Sequence, residues 1–258
     1  MASDKNVIVI PAHDMLDWRQ APNYSYTNTL NAAQWAWEFL RRNAEYQSDY
    51  RQFMQTWLAL EADYGAPPER DFQAWKADPR AYLKVAGDCA ADDCSVDQDK
   101  VLIECALGAK WGFYQFPRDP ALSALEFESP PAWREIQQEA RLISAADLDY
   151  LGGDPHRVAL GFDLDMPLKE QLERARLYLG RAYAGARRDK SFRPRSVAQY
   201  RAQWCLYLRI LDAEAVGAHA DDYIAVLPGG LSHTEIVAEA HRLCGGDYRE
   251  IPLLPEGA

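Results

Sequence analysis

The stretch that most constrains the fold lies near the start of the chain, where aromatic side chains and helix punctuation coincide. Asn31 is a favourable N-cap, and Gln34 three residues later completes a capping-box pattern, in which each residue bonds the other's backbone N–H. Trp35 and Phe39 follow at a spacing of four residues, which places both on one helical face. The sequence therefore predicts an amphipathic helix that buries aromatic rings.

The sequence also predicts where this first helix ends and where a second helix begins. The apolar pattern runs to about Arg42, and Asn43 is predicted to stop the helix. A second helix is expected from about Ala44 to Tyr64, because its aromatic residues step at threes and fours. Gly65, followed by alanine and two prolines, is predicted to end it. Two consecutive helices that share an aromatic core are the expected start of the fold.

The remainder of the chain also predicts mostly helices. A strand is expected only where apolar residues alternate, at 158–164, and in the short apolar run at 7–10. The predicted helices are 72–75, 82–85, 133–144, a helix from 168 capped by Asp165 or Met166, 196–216, 219–227 and 232–243. The predicted fold class is mainly α, with one or two short strands.

The predicted division is into two domains. Residues 1–150 are expected to form an N-terminal, aromatic-rich helical domain that contains an insertion near 62–105. Residues 151–258 are expected to form a C-terminal helical domain with a helix-turn-helix-like unit. The length of 258 residues suits either one large domain or two small ones.

Composition narrows the functional classes. The formal net charge of -11 disfavours a protein whose whole surface binds polyanions, although a local basic face remains compatible with it. The apolar run near the start is too short for a signal peptide or a membrane span, so a cytoplasmic protein is expected. The five cysteines are odd in number and scattered, which predicts mostly buried, reduced thiols.

Residues 196–244 have the pattern of a helix-turn-helix: a long helix, a glycine turn at Gly217, a short helix, a Pro-Gly turn and a capped last helix. Such a unit reads DNA by inserting its last helix into the major groove. A small helical bundle has the same pattern. Glu235 and Glu239 lie on the predicted last helix and would repel phosphates, which argues against groove reading by this helix.

The segment immediately upstream is basic. Between residues 157 and 209 the Lys and Arg residues outnumber the Asp and Glu residues by more than two to one. Clustered cations of this kind attract phosphates, so one interpretation is a nucleic-acid-binding surface. An equally open interpretation is a solvated linker whose cations pair with the acidic remainder of the chain. The predicted nucleic-acid-binding residues are Arg187, Arg188, Lys190, Arg193, Arg195 and Arg201.

No catalytic constellation is present. The sequence lacks a phosphate-binding glycine loop, a dinucleotide-binding fingerprint and a nucleophile elbow. Asp163 and Asp165 resemble a carboxylate pair, but Asp165 already has a predicted capping role. Cys89 and Cys94 lack the second ligand pair that a zinc site needs. The chain is therefore expected to be no enzyme and to use no cofactor and no metal.

The aromatic opening is also the most recognisable part of the sequence. The distinctive residues of this opening are 17–19, 35–43, 45–46 and 49–50, and further motifs follow at 110–112, 119–122, 131–134, 162–164, 167–168, 171–172, 207–213 and 223–225. The opening resembles the start of the proteobacterial transcriptional regulator-like domain, a family found in regulators of integrative and conjugative elements. The later motifs give a looser similarity that extends over most of the chain except about residues 62–105.

The resemblance implies a DNA-associated transcriptional regulator of a bacterial mobile element. Relatives include both activators and antiactivators, so a protein-binding adaptor or antiactivator that acts on another regulator without touching DNA is the alternative. The partners considered are double-stranded DNA, another regulator protein and a second copy of the chain, with no membrane contact. The resemblance assigns no functional residue, and the basic residues above rest on charge alone.

Overall fold

The computed structural model describes residues 16–84, 95–97, 99–114, 116–134, 158–189, 195–224 and 233–257. Over these residues the protein is mainly α-helical, as predicted, with one small sheet. It divides into two compact units. The first comprises residues 1–136 and 196–258, and the second comprises residues 137–195.

The first unit begins with a 3-10 helix, Ala21–Thr29, and α1, Ala32–Leu40. The predicted capping box is confirmed: Gln34 N donates to Asn31 Oδ1 at 2.9 Å, and Asn31 N donates to Gln34 Oε1 at 3.0 Å. Trp35 and Phe39 are fully buried. The asparagine and the aromatic spacing thus give the helix its start and its buried face.

Asn43 has a different role from the predicted one. Helix α1 ends at Leu40, and Asn43 is the N-cap of α2, Ala44–Tyr64, where its Oδ1 accepts a hydrogen bond from Tyr46 N at 2.9 Å. An asparagine suits either position, and the carboxamide here is engaged by the helix that follows it. Gly65 ends α2 with a positive φ of 87°, as predicted for a glycine stop.

A second, smaller core surrounds the far end of α2. Helix α3, Phe72–Ala77, follows, and Trp75 lies buried with Phe53 and Leu60. The stretch predicted as a helix at 82–85 is instead strand β1, Tyr82–Lys84. The helix prediction was wrong because strand pairing decides so short a segment: Tyr82, Leu83 and Lys84 pair antiparallel with β3.

The sheet has the order β1-β3-β2, with β2 at Ser95–Asp97 and β3 at Lys100–Leu102. Helix α4, Ile103–Trp111, begins at the residue immediately after β3. Cys105 on α4 is disulfide-bonded, whereas Cys205 and Cys244 are free. The expectation of reduced thiols therefore does not hold for Cys105, because a spacing pattern does not show which sulfur atoms fold close together.

The chain after residue 195 returns to the core of the first unit. Helices α6, Val197–Ala215, α7, Ala220–Ile224, and α8, His233–Gly245, lead to a terminal 3-10 helix, Asp247–Leu253. Trp204 on α6 packs against Trp35 of α1, with ring centroids 5.4 Å apart. This grouping differs from the predicted boundary at residue 150, because aromatic faces far apart in sequence share one core.

The described part of the second unit contains one long helix, α5, Leu168–Arg188. The strand predicted at 158–164 is wrong: these residues are exposed and in no regular element. An alternating pattern forms a strand only when a partner strand bonds it, and no described residue does so here. Trp133 and Arg134, predicted to start a helix, are not helical, and Trp133 bridges Phe113. Residues 135–144 of that prediction lie outside the described residues.

Candidate nucleic-acid interface

Helix α5 is the most basic element of the described protein. It contains 21 residues, among them one lysine and five arginines against two glutamates. None of its residues is buried. Cations gathered on one exposed helix provide the kind of local positive surface that attracts phosphates despite an acidic whole.

The start of α5 is held by a glutamine rather than by the predicted cap. The N-cap is Pro167, which makes no side-chain cap hydrogen bond, so capping by Asp165 or Met166 is not observed. Instead Gln171 Oε1 accepts from Asp163 N at 2.8 Å, and Gln171 Nε2 donates to Asp163 O at 2.8 Å. The segment before the helix is thereby fixed to its first turn.

The arginines of α5 fall into rows. Arg174, Arg181 and Arg188 are spaced by seven residues, about two helical turns, so they lie along one side at intervals of about 10 Å. All three are exposed, and within the described residues none of them forms an ion pair. A row of unneutralised guanidinium groups on a helix can bind successive backbone phosphates.

Most of the predicted nucleic-acid-binding residues lie on α5 or in the linker after it. Arg187 and Arg188 form the last turn of α5, and the Arg187 guanidinium carbon lies 5.9 Å from the centroid of the Tyr183 ring. Lys190 and Arg193 lie outside the described residues. Arg195 is described and exposed. The linker part of the predicted site is therefore described only at its two ends.

Arg201 lies on α6 in the first unit and already makes structural contacts. Its Nη1 donates to Asn28 O, and its Nη2 donates to Leu30 O at 3.3 Å. The two carbonyls belong to the end of the first 3-10 helix and the residue after it. Phosphate binding by Arg201 stays a prediction, and it would compete with these hydrogen bonds.

The three helices of the helix-turn-helix-like pattern form at the predicted positions. Ile236, Ala240 and Leu243 on α8 are buried in the core of the first unit. The outward side of α8 is acidic: Glu235 is exposed, and Arg242 bonds Glu239 at 2.7 Å and also pairs with Asp247. This surface repels phosphates, so insertion of α8 into a DNA groove stays an unsupported prediction.

Asp163 and Asp165 do not form an enclosed carboxylate site. A hydrogen bond between the two carboxyl groups raises the pKa of Asp163 and lowers the pKa of Asp165. Both residues are exposed. Paired carboxylates at catalytic or metal sites are normally sheltered in a cleft, and this pair is open to water.

The feature that sequence analysis missed is a buried ionic network in the first unit. Glu38 is fully buried on α1, where its Oε2 accepts from Arg41 Nε at 2.8 Å and from Arg42 Nη1 at 2.7 Å. Its Oε1 accepts from Ala124 N at 2.7 Å. Burial alone would raise the pKa of Glu38, but the two guanidinium groups lower it to about 2. Glu38 is therefore a buried, ionised carboxylate.

Arg42 carries this network across to α6. Its Nε donates to Asp212 Oδ1 at 2.7 Å, and Tyr24 OH donates to Asp212 Oδ2 at 2.6 Å. A glutamate with arginines three and four residues later was the available signal, because such residues meet on one helical face. With its charges paired and buried, the network serves structure rather than ligand binding.

Comparison with known proteins identifies one domain. Residues 17–76 match the family model of the proteobacterial transcriptional regulator-like domain, so the resemblance is confirmed for this segment. The match includes Glu38, Arg41 and Arg42, and it extends into the stretch 62–105 that was interpreted as an insertion. No curated protein and no solved structure matches the chain.

The class defined by fold and comparison is a mainly helical protein with a transcriptional regulator-like domain, which supports a regulatory role. No helix among the described residues combines the length and the apolarity needed to cross a membrane.

Proposed function

We propose that this protein is a cytoplasmic, non-enzymatic transcriptional regulator of a bacterial mobile or conjugative element, and that it binds double-stranded DNA through the basic face of α5 and the linker after it. The regulator-like domain at residues 17–76 supports the regulatory role. The observation that carries DNA contact is the row of Arg174, Arg181 and Arg188, which extends the predicted linker site along a helix.

This mode of binding is a phosphate contact and not a reading of base edges. The arginine row faces solvent, whereas the outer side of α8 carries Glu235 and the paired Arg242. Phosphate contacts position a protein on DNA and supply most of its salt-dependent affinity, but they carry no sequence information. Sequence selection would then depend on DNA shape or on a partner protein.

A salt titration of duplex binding tests the proposal. Affinity of the full chain for a labelled duplex is measured by fluorescence anisotropy over a range of salt concentrations, for the wild type and for a variant with Arg174→Gln, Arg181→Gln and Arg188→Gln. Each phosphate contact contributes about −0.9 to the slope of log affinity against log salt, so loss of three contacts should make the slope less negative by about 3.

Two further variants locate the contact. A second triple variant, Arg187→Gln, Lys190→Gln and Arg193→Gln, tests the linker. Arg51→Gln is the matched control, because Arg51 is an exposed arginine on α2 of the first unit. An unchanged slope in both triple variants contradicts the proposal, as does a change per substituted residue that is equal in the control and in the triple variants.

The alternative is a protein-binding adaptor or antiactivator that acts on another regulator. The specific observation in its favour is the acidic outer side of α8, which lies on a chain with a net charge of -11. Two results together would favour this alternative over DNA binding. The protein would shift no duplex at low salt, and a regulator protein would co-purify with the wild type and be released by Glu235→Lys.

A further inference from the structure

The side of α5 that carries no arginine row is apolar, and its leucines are exposed. Leu168, Leu172 and Leu179 are exposed to 50%, 58% and 46%. A helix normally buries such a stripe against another element, since each exposed leucine forgoes the free energy of leaving water. The stripe lies within the second unit, all of it on described residues.

The stripe has the spacing of a helix-pairing seam. Its members are separated by four, three, four, three and four residues, which is the a/d pattern of a coiled coil extended over three heptads. They are Leu168, Leu172, Ala175, Leu179, Ala182 and Ala186.

Large and small residues are distributed unevenly along this seam. Leu168 and Leu172 occupy its first half, whereas Ala182 and Ala186 occupy its second half. A parallel partner of the same sequence would place leucine against leucine at one end and leave a gap between alanines at the other. Close packing disfavours such an arrangement.

We propose that α5 pairs antiparallel with α5 of a second copy of this chain, about a two-fold axis between Ala175 and Leu179. In this register Leu168 faces the second copy's Ala186, and Leu172 faces the second copy's Ala182. Ala175 faces the second copy's Leu179, so every leucine of the seam meets an alanine. Packing of large against small residues lets the two helices approach closely.

The residues beside the seam are compatible with this register. Lys169 lies next to the second copy's Tyr183, which allows a cation–π contact at each end of the pair. The antiparallel helix dipoles attract one another. Arg176 faces its own counterpart across the axis, which costs little because both guanidinium groups remain hydrated and screened.

Pairing leaves the proposed DNA-binding row free. Arg174, Arg181 and Arg188 lie on the side of the helix away from the seam, so a dimer would present two such rows. The pairing does not depend on DNA binding, and the salt titration and the oligomeric state can fail separately.

An exchange of a leucine and an alanine tests the register. In the antiparallel homodimer Leu172→Ala leaves a gap opposite Ala182, and Ala182→Leu overfills the space opposite Leu172. The double variant Leu172→Ala with Ala182→Leu restores a leucine–alanine contact on both sides of the axis. Leu177→Ala is the matched control, because Leu177 is 60% exposed on the same helix but outside the seam.

The oligomeric state of the full-length chain is measured by sedimentation velocity over a concentration series, with circular dichroism to confirm equal helix content. We expect a dimer for the wild type and the control, and a dissociation constant raised about tenfold or more in each single variant. The double variant should return towards the wild-type value.

Three outcomes overturn the proposal: a monomer at every concentration, a dimer that neither single variant weakens, or single variants that the exchange does not rescue. In the monomeric case, binding of α5 to an acidic helical peptide or to anionic vesicles would identify a different occupant of the seam and would likewise overturn pairing between copies.

Discussion

Arg42 and Asp212, 170 residues apart in the chain, form a two-pronged ion pair, with Arg42 Nε 2.7 Å from Asp212 Oδ1 and Arg42 Nη2 2.9 Å from Asp212 Oδ2. The side chains are exposed to only 8% and 10%. The pair links the regulator-like domain at 17–76 to α6, a helix outside the family match. It therefore joins the matched domain to a helix near the other end of the chain.

Removal of one partner of this pair should be strongly destabilising. Asp212→Ala leaves the Arg42 charge buried with Glu38 alone, and we expect a loss of about 3–5 kcal/mol in the free energy of unfolding, measured by urea denaturation. Glu239→Ala breaks the exposed pair with Arg242 and is expected to cost about 1 kcal/mol or less. Equal losses in the two variants would show that burial does not set the cost.

The ionisation of Glu38 should make stability depend on acidic pH. Its pKa falls from the ordinary value of 4.5 to about 2 in the folded protein, so the folded state favours the ionised carboxylate. The resulting stabilisation, about 3 kcal/mol, is fully present above pH 4.5 and is lost as the pH falls towards about 2.

The comparison of wild type with Glu38→Gln checks this dependence. The difference in unfolding free energy between the two should be largest near neutral pH and should shrink steadily below pH 4.5. A difference that stays constant down to pH 3 would contradict an ionised Glu38.

The two asparagine caps, Asn31 and Asn43, should differ in how much each contributes to the stability of the folded protein. Asn31→Ala removes one capping box and is expected to cost about 1 kcal/mol. Asn43→Ala removes a cap and also the hydrogen bond from Asn43 Nδ2 to Cys244 O at 2.9 Å, so it should cost more. Thermal unfolding of both variants gives the order, and a larger loss for Asn31→Ala would reverse the assignment.

Arg201 and Arg188 should respond differently to the same substitution. Arg201→Gln removes hydrogen bonds to Asn28 O and Leu30 O, and we expect a loss of about 1–3 kcal/mol in the free energy of unfolding. Arg188→Gln removes an exposed charge at a helix end and should leave stability within about 0.5 kcal/mol. A stable Arg201→Gln variant with a reduced salt slope for DNA would instead support phosphate binding by Arg201.

Local signals predicted the helices well where caps and apolar spacing agreed. The capping box at Asn31 and Gln34, the glycine stop at Gly65 and the long helix from residue 197 are all found in the structure. The weak predictions were short segments such as 82–84 and 158–164, whose conformation depends on a pairing partner and not on their own pattern.

The candidate interface was predicted in part. Clustered arginines around residues 187–195 were visible as charge and the helix from residue 168 was predicted, but the exposure of Arg174, Arg181 and Arg188 on a helix without buried residues is known only from the structure. The distinction between an arginine that faces water and one, such as Arg201, that binds backbone carbonyls depends on contacts with residues far away in the chain.

The sequence by itself determined the aromatic helices, their caps, the family of residues 17–76 and the basic character of α5, since each depends on neighbours within a few turns of the chain. Only the tertiary structure decided that Asn43 caps α2, that residues 82–84 form a strand, and that Arg42 meets Asp212. The physical reason is that a buried charge needs a counter-charge close by in the fold. The residues adjacent in sequence do not show which distant residue provides it.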